Sequence, residues 1–236
     1  EKKMDHNNIS VVGMSFSGAL ILKASFQLSM KKYPPKSIFA YGTYYDFDSS
    51  IEFFTTGKIN INKSELKIKP NSWGLVVIFH NSLPYIDIGY DTTDIQRILS
   101  LRIQDKEDES NSECLKLPEK EQEMVNCILS GQPNDEVIRI INLFREKLKQ
   151  EYQSLSPRYW YKEVKSKVFI FHGANDSMVP YTESISLGEK IKNSELFISY
   201  LFEHREISSK KGYLFKMIEI WKMIKFFQKY IKYNEN

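Results

Sequence analysis

What this 236-residue chain lacks narrows its class before any motif is considered. No hydrophobic run approaches the ~18 apolar residues of a membrane span, so a helical membrane protein is not expected. Cysteine is nearly missing: Cys114 and Cys127 are the only two, at no metal-like or redox spacing. They read as free thiols in a reducing compartment, which with the polar, leaderless Glu1–Asn8 points to the cytoplasm. A leader lost from a fragment would not be visible in such a reading. Charge of one sign is also missing, since the net is only +3 and the lysines are spread along the chain, so no nucleic-acid footprint is expected. There is no phosphate-cradling Gly-rich loop, no His/Asp/Glu cluster at ligand spacing and no repeat, so neither metal nor cofactor is expected.

What is present is an ordinary globular composition, 42% hydrophobic and 27% charged, enough for one domain with a sizeable core or one domain carrying an insertion. Ile9–Val12 reads as a buried strand and Ser17–Lys31 as one helix, its apolar face carrying Leu20, Ala24 and Leu28. Ser37–Tyr41 is a second strand, expected to run parallel to the first. Tyr44–Lys69 lacks clean periodicity and reads as irregular or short helices. Trp73–His80 is apolar and fits strand or buried helix equally. Thr93–Tyr152 is helical and highly charged, with a stripe of Val137, Ile138, Ile141, Phe144 and Leu148. Strands return at Lys167–Phe171 and Leu196–Leu201, around a helix over Glu183–Lys190. A last helix carries Met217, Ile220, Trp221, Ile224, Phe227 and Ile231 on its apolar side. The alternation indicates an α/β architecture with a mostly parallel sheet flanked by helices. Sixty-odd helical residues between two strands exceed a crossover and predict an inserted cap, here residues 44–152, within a core of 1–43 and 153–236.

The chemistry concentrates in three places, each just beyond a predicted strand. Gly13-Met14-Ser15-Phe16-Ser17-Gly18 follows the first strand and opens a helix, the layout of a tight turn that presents a serine. Gly13 and Ser17 flank Ser15 at two residues on either side as the small residues such a turn needs. Asp176 follows the strand ending at Phe171, and His204 follows the strand ending near Leu201. Loops at the carboxyl ends of parallel strands converge on one edge, so the three can meet. Each has a plainer reading as well: Ser17 as nucleophile in a shifted frame, Asp176 as a turn residue, His204 as a solvated surface histidine. His172 reads as structural, and His6 and His80 as incidental.

Those motifs, with Leu155-Ser156-Pro157, His172-Gly173-Ala174-Asn175-Asp176-Ser177-Met178-Val179-Pro180 and Phe202-Glu203-His204, resemble the C-terminal part of an α/β-hydrolase with a helical cap. The likeness is to bacterial esterases and lipases and to prolyl-oligopeptidase-like hydrolases. It implies a carboxylic-ester (or related acyl) hydrolase acting through an acyl-enzyme. Ser15 would be the nucleophile, His204 the proton shuttle, Asp176 the orienting acid and the Phe16 backbone N–H an oxyanion donor. The partner implied is a small ester or acyl substrate. The resemblance also implies that the strands which precede the elbow in this family, and the loop carrying a second oxyanion donor, are absent. On that reading the outer edge of the first strand is unpaired and open to self-association or to a complementing N-terminal segment. A rival reading follows: a catalytically inactive, truncated module acting through partner association.

Overall fold

The computed structural model describes residues 9–61, 64–201 and 212–235. The chain runs β1 (Ser10–Met14), α1 (Phe16–Ala24), α2 (Leu28–Lys32), β2 (Ser37–Tyr41), α3 (Phe47–Thr56), β3 (Lys58–Ile61) and β4 (Ser64–Lys67). Then come α4 (Trp73–Ser82), α5 (Thr93–Ile103), α6 (Glu107–Cys114), α7 (Glu119–Ser130), α8 (Asp135–Lys147), α9 (Lys149–Leu155) and α10 (Pro157–Trp160). β5 (Lys167–Gly173), α11 (Tyr181–Lys190), β6 (Ser194–Ser199) and α12 (Tyr213–Glu235) complete it. These elements form two compact units: the described parts of Glu1–Ser50, Ile59–Ser64 and Gln153–Asn236, and a second unit of Ile51–Lys58 and Glu65–Tyr152.

The first unit is a four-stranded, all-parallel sheet in the order β1-β2-β5-β6, flanked by helices, an α/β fold as the alternation predicts. The register runs Met14 to Tyr41 to Phe171 to Phe197, so the four strands end at one common edge. One face packs Leu22, Ile38, Ala40, Val168, Ile170 and Leu187. The opposite face is aromatic, with Phe39, Phe169 and Phe171 against Phe226 of α12. Burial on both faces explains why β2 and β5 read as continuous apolar runs rather than alternating ones.

Three sequence expectations fail here for identifiable reasons. The first helix is two: α1 stops because the buried Ser25 hydroxyl donates to the Leu22 carbonyl, a local bond that competes with helical continuation. Its buried residues are Gly18, Ala19 and Leu22, whereas Leu20 and Leu28 are exposed, Leu28 by 92%. Of the stripe expected on α12 only Phe227 reaches the sheet, stacking on Phe39 at 5.7 Å; the inward side is otherwise Glu219, Met223, Phe226 and Tyr230, with Met217, Trp221, Ile224 and Ile231 left exposed. Tyr44–Lys69, expected to be irregular or helical, contains the short strands β3 and β4.

The second unit is helical and has its own core, including Phe53, Phe54, Phe79, Ile95, Met124 and Phe144. Trp73–His80 resolves as helix, within α4, where Gly74 lies flat against the Phe54 ring. α8 buries Val137, Ile140, Ile141 and Phe144 while Ile138 stays exposed, so the expected stripe is displaced at one position. Cys114 and Cys127 are free, and burial raises both thiol pKa values. No helix among the described residues is long and apolar enough to cross a membrane.

Candidate functional site

Ser15 links β1 to α1 at φ 55° and ψ −131°. Apart from Asp105, it is the only described non-glycine residue with positive φ. That combination lies outside even the left-handed helical well, in territory glycine visits freely and other residues only under strain. Two contacts hold it there. The Ser15 N–H donates to the Tyr41 carbonyl at 2.6 Å, extending the ladder past the strand end, and the Gly18 N–H donates to the Ser15 carbonyl at 3.0 Å. The Ser15 hydroxyl stands at the N-cap position of α1 but makes no capping bond. It is half-buried, at the positive end of a helix.

The close crossing of strand and helix is made by Gly13 and Gly18. A Cβ on Gly13 would come within 2.7 Å of the Gly18 Cα, and one on Gly18 within 2.7 Å of the Thr43 side chain. Ser17, the small residue expected there from its spacing, does something else. Its hydroxyl accepts the Met14 N–H at 2.8 Å and donates to the Met14 carbonyl at 2.7 Å, pinning the turn. Both functions of the hydroxyl are thus engaged.

Phe16 follows Ser15 as the first residue of α1, where a backbone N–H has no acceptor within the helix. Its ring is fixed by Tyr44 and Phe47, at centroid distances of 5.2 and 5.6 Å. The loop bearing those aromatics is itself clamped. Buried Glu183 on α11 accepts the Tyr45 and Asp46 N–H groups at 3.0 and 2.8 Å and the Ser49 hydroxyl at 2.7 Å. Burial raises the Glu183 pKa, and these donors oppose the rise. Asp46 in turn receives Arg158 at 2.6 Å, and the Ser156 hydroxyl accepts the Phe47 N–H at 2.9 Å. Sequence reading identified Ser156 only as part of a family motif and gave Glu183 and Asp46 no role. Their one signal was acidic residues beside apolar runs, which is too common to single them out.

Asp176 lies in the turn after β5 and is 1% exposed. One carboxylate oxygen accepts the N–H groups of Met178 and Val179, at 2.7 and 2.9 Å. The other lies 3.3 Å from Nε2 of His172. His172 is fully buried, with Nε2 2.9 Å from the Val179 carbonyl and Nδ1 2.6 Å from the Ser184 hydroxyl. Because both neighbours of Nε2 are acceptors, that nitrogen carries a proton. His172 therefore braces the turn that carries Asp176, in keeping with its reading as a structural residue. The Asp176 charge also helps raise the pKa of Tyr41, after burial.

Ser15 and Asp176 both stand at the carboxyl edge of one sheet, beyond β1 and β5, with β2 between them. At the usual strand spacing, strands two apart are separated by roughly 10 Å. His204 lies outside the described residues, five positions past the end of β6 at Ser199, as do Phe202, Glu203 and His6. His80 is on α4 of the helical unit. Among the described residues, no group of three or more His, Cys, Asp or Glu side chains could hold a metal ion.

No family model and no curated protein sequence matches the chain. Structural likeness is to proteins of the α/β-hydrolase fold. An alpha/beta fold family hydrolase from Bacillus anthracis matches at 22% identity and a TM-score of 0.40, over 84% of this chain and 61% of that one. The acylaminoacyl peptidase of Pyrococcus horikoshii matches at 13% identity and 0.42, over 86% of this chain and 21% of that one. A variant of the meta-cleavage product hydrolase of Pseudomonas fluorescens matches at 15% and 0.36, over 92% and 64%. The chain thus spans less than two thirds of the length of each.

Proposed function

We propose that the chain is a serine hydrolase, or the catalytic part of one, acting on a carboxylic ester or related acyl bond. The observation that carries this reading is the backbone of Ser15. A non-glycine residue is held at φ 55° and ψ −131° between strand and helix, with its hydroxyl spared from capping the helix it opens. Strain of this kind persists only where the surroundings impose it, and here it falls on a serine at the carboxyl edge of the sheet.

In the proposed reaction His204 takes the Ser15 proton as Oγ attacks the substrate carbonyl, and Asp176 holds the imidazole in the required tautomer. Negative charge growing on the carbonyl oxygen is met by the Phe16 N–H at the start of α1, where the helix dipole adds to the effect. His204 returns its proton to the leaving alcohol, and water then releases the acyl group by the same steps in reverse order. The roughly 10 Å between β1 and β5 leaves room for one imidazole hydrogen-bonded at both nitrogens. The helical unit, Ile51–Lys58 with Glu65–Tyr152, is the candidate cap and specificity element of this hydrolase.

Hydrolysis of short-chain p-nitrophenyl esters tests the proposal. Turnover lost in Ser15→Ala and His204→Ala, and reduced by about 10³-fold or more in Asp176→Asn, is expected. Equal turnover in parent and Ser15→Ala overturns it. A second reading, a non-catalytic module that works through association, draws on the outer side of β1, which no strand among the described residues pairs. It predicts no turnover in the parent chain.

A further inference from the structure

From a cleft lined by Lys167, Phe169, Glu195, Lys229, Lys232 and Tyr233, we infer a binding site for a small phosphate monoester that carries a flat aromatic body. The cleft holds about 380 Å³, within the lower range of small-molecule sites.

Its place in the fold separates it from the chemistry proposed at Ser15. Lys167 opens β5 and Glu195 is the second residue of β6, so the cleft lies at the amino edge of the sheet. Ser15 and Asp176 stand beyond the opposite ends of their strands. The seven residues of β5 put about 20 Å between the two edges. The cleft also lies on the β5–β6 flank, with β2 between β5 and β1. Either site can therefore exist without the other.

Local structure explains how the six side chains meet. Lys167 and Phe169 are two apart on a strand, so they share one face, and Glu195 is the register partner of Phe169 on β6. That face is the one α12 covers. On α12, Lys229, Lys232 and Tyr233 follow at i, i+3 and i+4 and so share one side of the helix.

Charge is out of balance there. The Glu195 carboxylate accepts from Lys229 at 3.0 Å. Lys167 stands 3.6 Å from the other oxygen, longer than a hydrogen bond. The Lys167 side chain is only 15% exposed, with its ammonium 5.6 Å from the Phe169 ring centroid. An ammonium has three donors, so a largely covered cation keeps capacity for an acceptor in the cleft. Three lysines facing one glutamate leave a surplus of two positive charges. A phosphate monoester, with about −1.5 to −2 charge at pH 7 and three strong acceptor oxygens, matches that surplus, whereas a carboxylate leaves half of it. The aromatic part has its own partner. The Tyr233 ring meets Phe169 edge-on at 5.8 Å and remains 40% exposed, offering a surface against which a flat ring packs.

Calorimetric titration of the full chain with 1-naphthyl phosphate tests the inference, with inorganic phosphate and 1-naphthol as the separated halves of the ligand. One-to-one binding of the ester is expected, at least about tenfold tighter than either half. Lys229→Gln/Lys232→Gln cancels the charge surplus and should weaken binding about tenfold, with far-UV circular dichroism unchanged. Glu195→Gln enlarges the surplus and should tighten binding about two- to fivefold. A second readout needs no variant: the ester should slow acetylation of Lys167, Lys229 and Lys232 in the parent, mapped by peptide mass, and leave Lys120 of α7 unprotected. No binding up to about 1 mM, or equal binding of either half, would overturn the site. So would an affinity unmoved by the double variant, weaker binding in Glu195→Gln, or binding that leaves the three lysines unprotected.

Discussion

Replacing Ser15 with glycine should make the protein more stable while abolishing the proposed chemistry. A non-glycine residue at φ 55° and ψ −131° stores about 1–3 kcal/mol of backbone strain, which glycine does not incur. Against this, glycine loses more chain entropy on folding, about 0.5–1 kcal/mol. The net gain is about 0–2.5 kcal/mol, centred near 1 kcal/mol, which for a chain of this length is about 2 °C in Tm per kcal/mol. Alanine separates the two contributions. Ser15→Ala removes the hydroxyl but keeps Cβ, and with it the strain, so its stability should stay within about 0.5 kcal/mol of the parent. The assay is urea denaturation of parent, Ser15→Gly and Ser15→Ala, with m-values compared so that only shifts at constant m are read as stability. A glycine variant no more stable than the parent, or alanine and glycine variants that stabilise equally, would refute a strained elbow held in place by its surroundings.

Ser17→Ala removes two hydrogen bonds to Met14 at an exposed turn and should cost about 1–2 kcal/mol while leaving Ser15 reactive, as checked by denaturation and active-site labelling. Asp176→Ala strips an acceptor from two buried N–H groups and should cost about 2–4 kcal/mol, whereas Asp176→Asn keeps an amide oxygen there but turns its NH2 against the protonated Nε2 of His172 and should cost less, about 1–2 kcal/mol. Burial raises the Glu183 pKa, so the folded state holds a proton that the unfolded state has already lost. Stability from this group is fully present below the ordinary carboxylate pKa and falls as pH rises through the raised value. Glu183→Gln should remove that slope, so its stability relative to the parent increases with pH across the window; a pH-independent difference contradicts the assignment. The Thr43 hydroxyl is buried without a hydrogen-bond partner among the described residues, so Thr43→Val should be neutral to about 1 kcal/mol stabilising by thermal denaturation.

Much of the sheet was legible because its signals are local. β2 and β5 are short apolar runs bounded by Gly42 and by the Gly173-Ala174-Asn175-Asp176 turn, and a strand buried on both faces needs no alternation. The helix faces were harder. The side of α12 that packs on the sheet includes a buried Glu219, whose carboxylate accepts the Tyr200 N–H and pairs with Lys222. The more hydrophobic side points outward. Periodicity identifies an apolar stripe but not what lies opposite it, and α12 has two stripes of which only one packs on the sheet among the described residues. α1 misled differently, since its close crossing at Gly18 and Thr43 rotates Leu20 outward. At the site, Ser15 and Asp176 stood out because each follows a strand. Glu183 was missed because its role is to accept backbone N–H groups of a distant loop, and Asp46 because its carboxylate pairs with Arg158 far along the chain, both of which appear only once α11 and α10 are placed beside that loop.

The central claim, that the strained serine is the nucleophile, is tested most directly by mapping a fluorophosphonate adduct. The parent should carry a single adduct on Ser15, lost in Ser15→Ala and retained on Ser15 in Ser17→Ala. An adduct that survives Ser15→Ala, or that maps to Ser17, would contradict it.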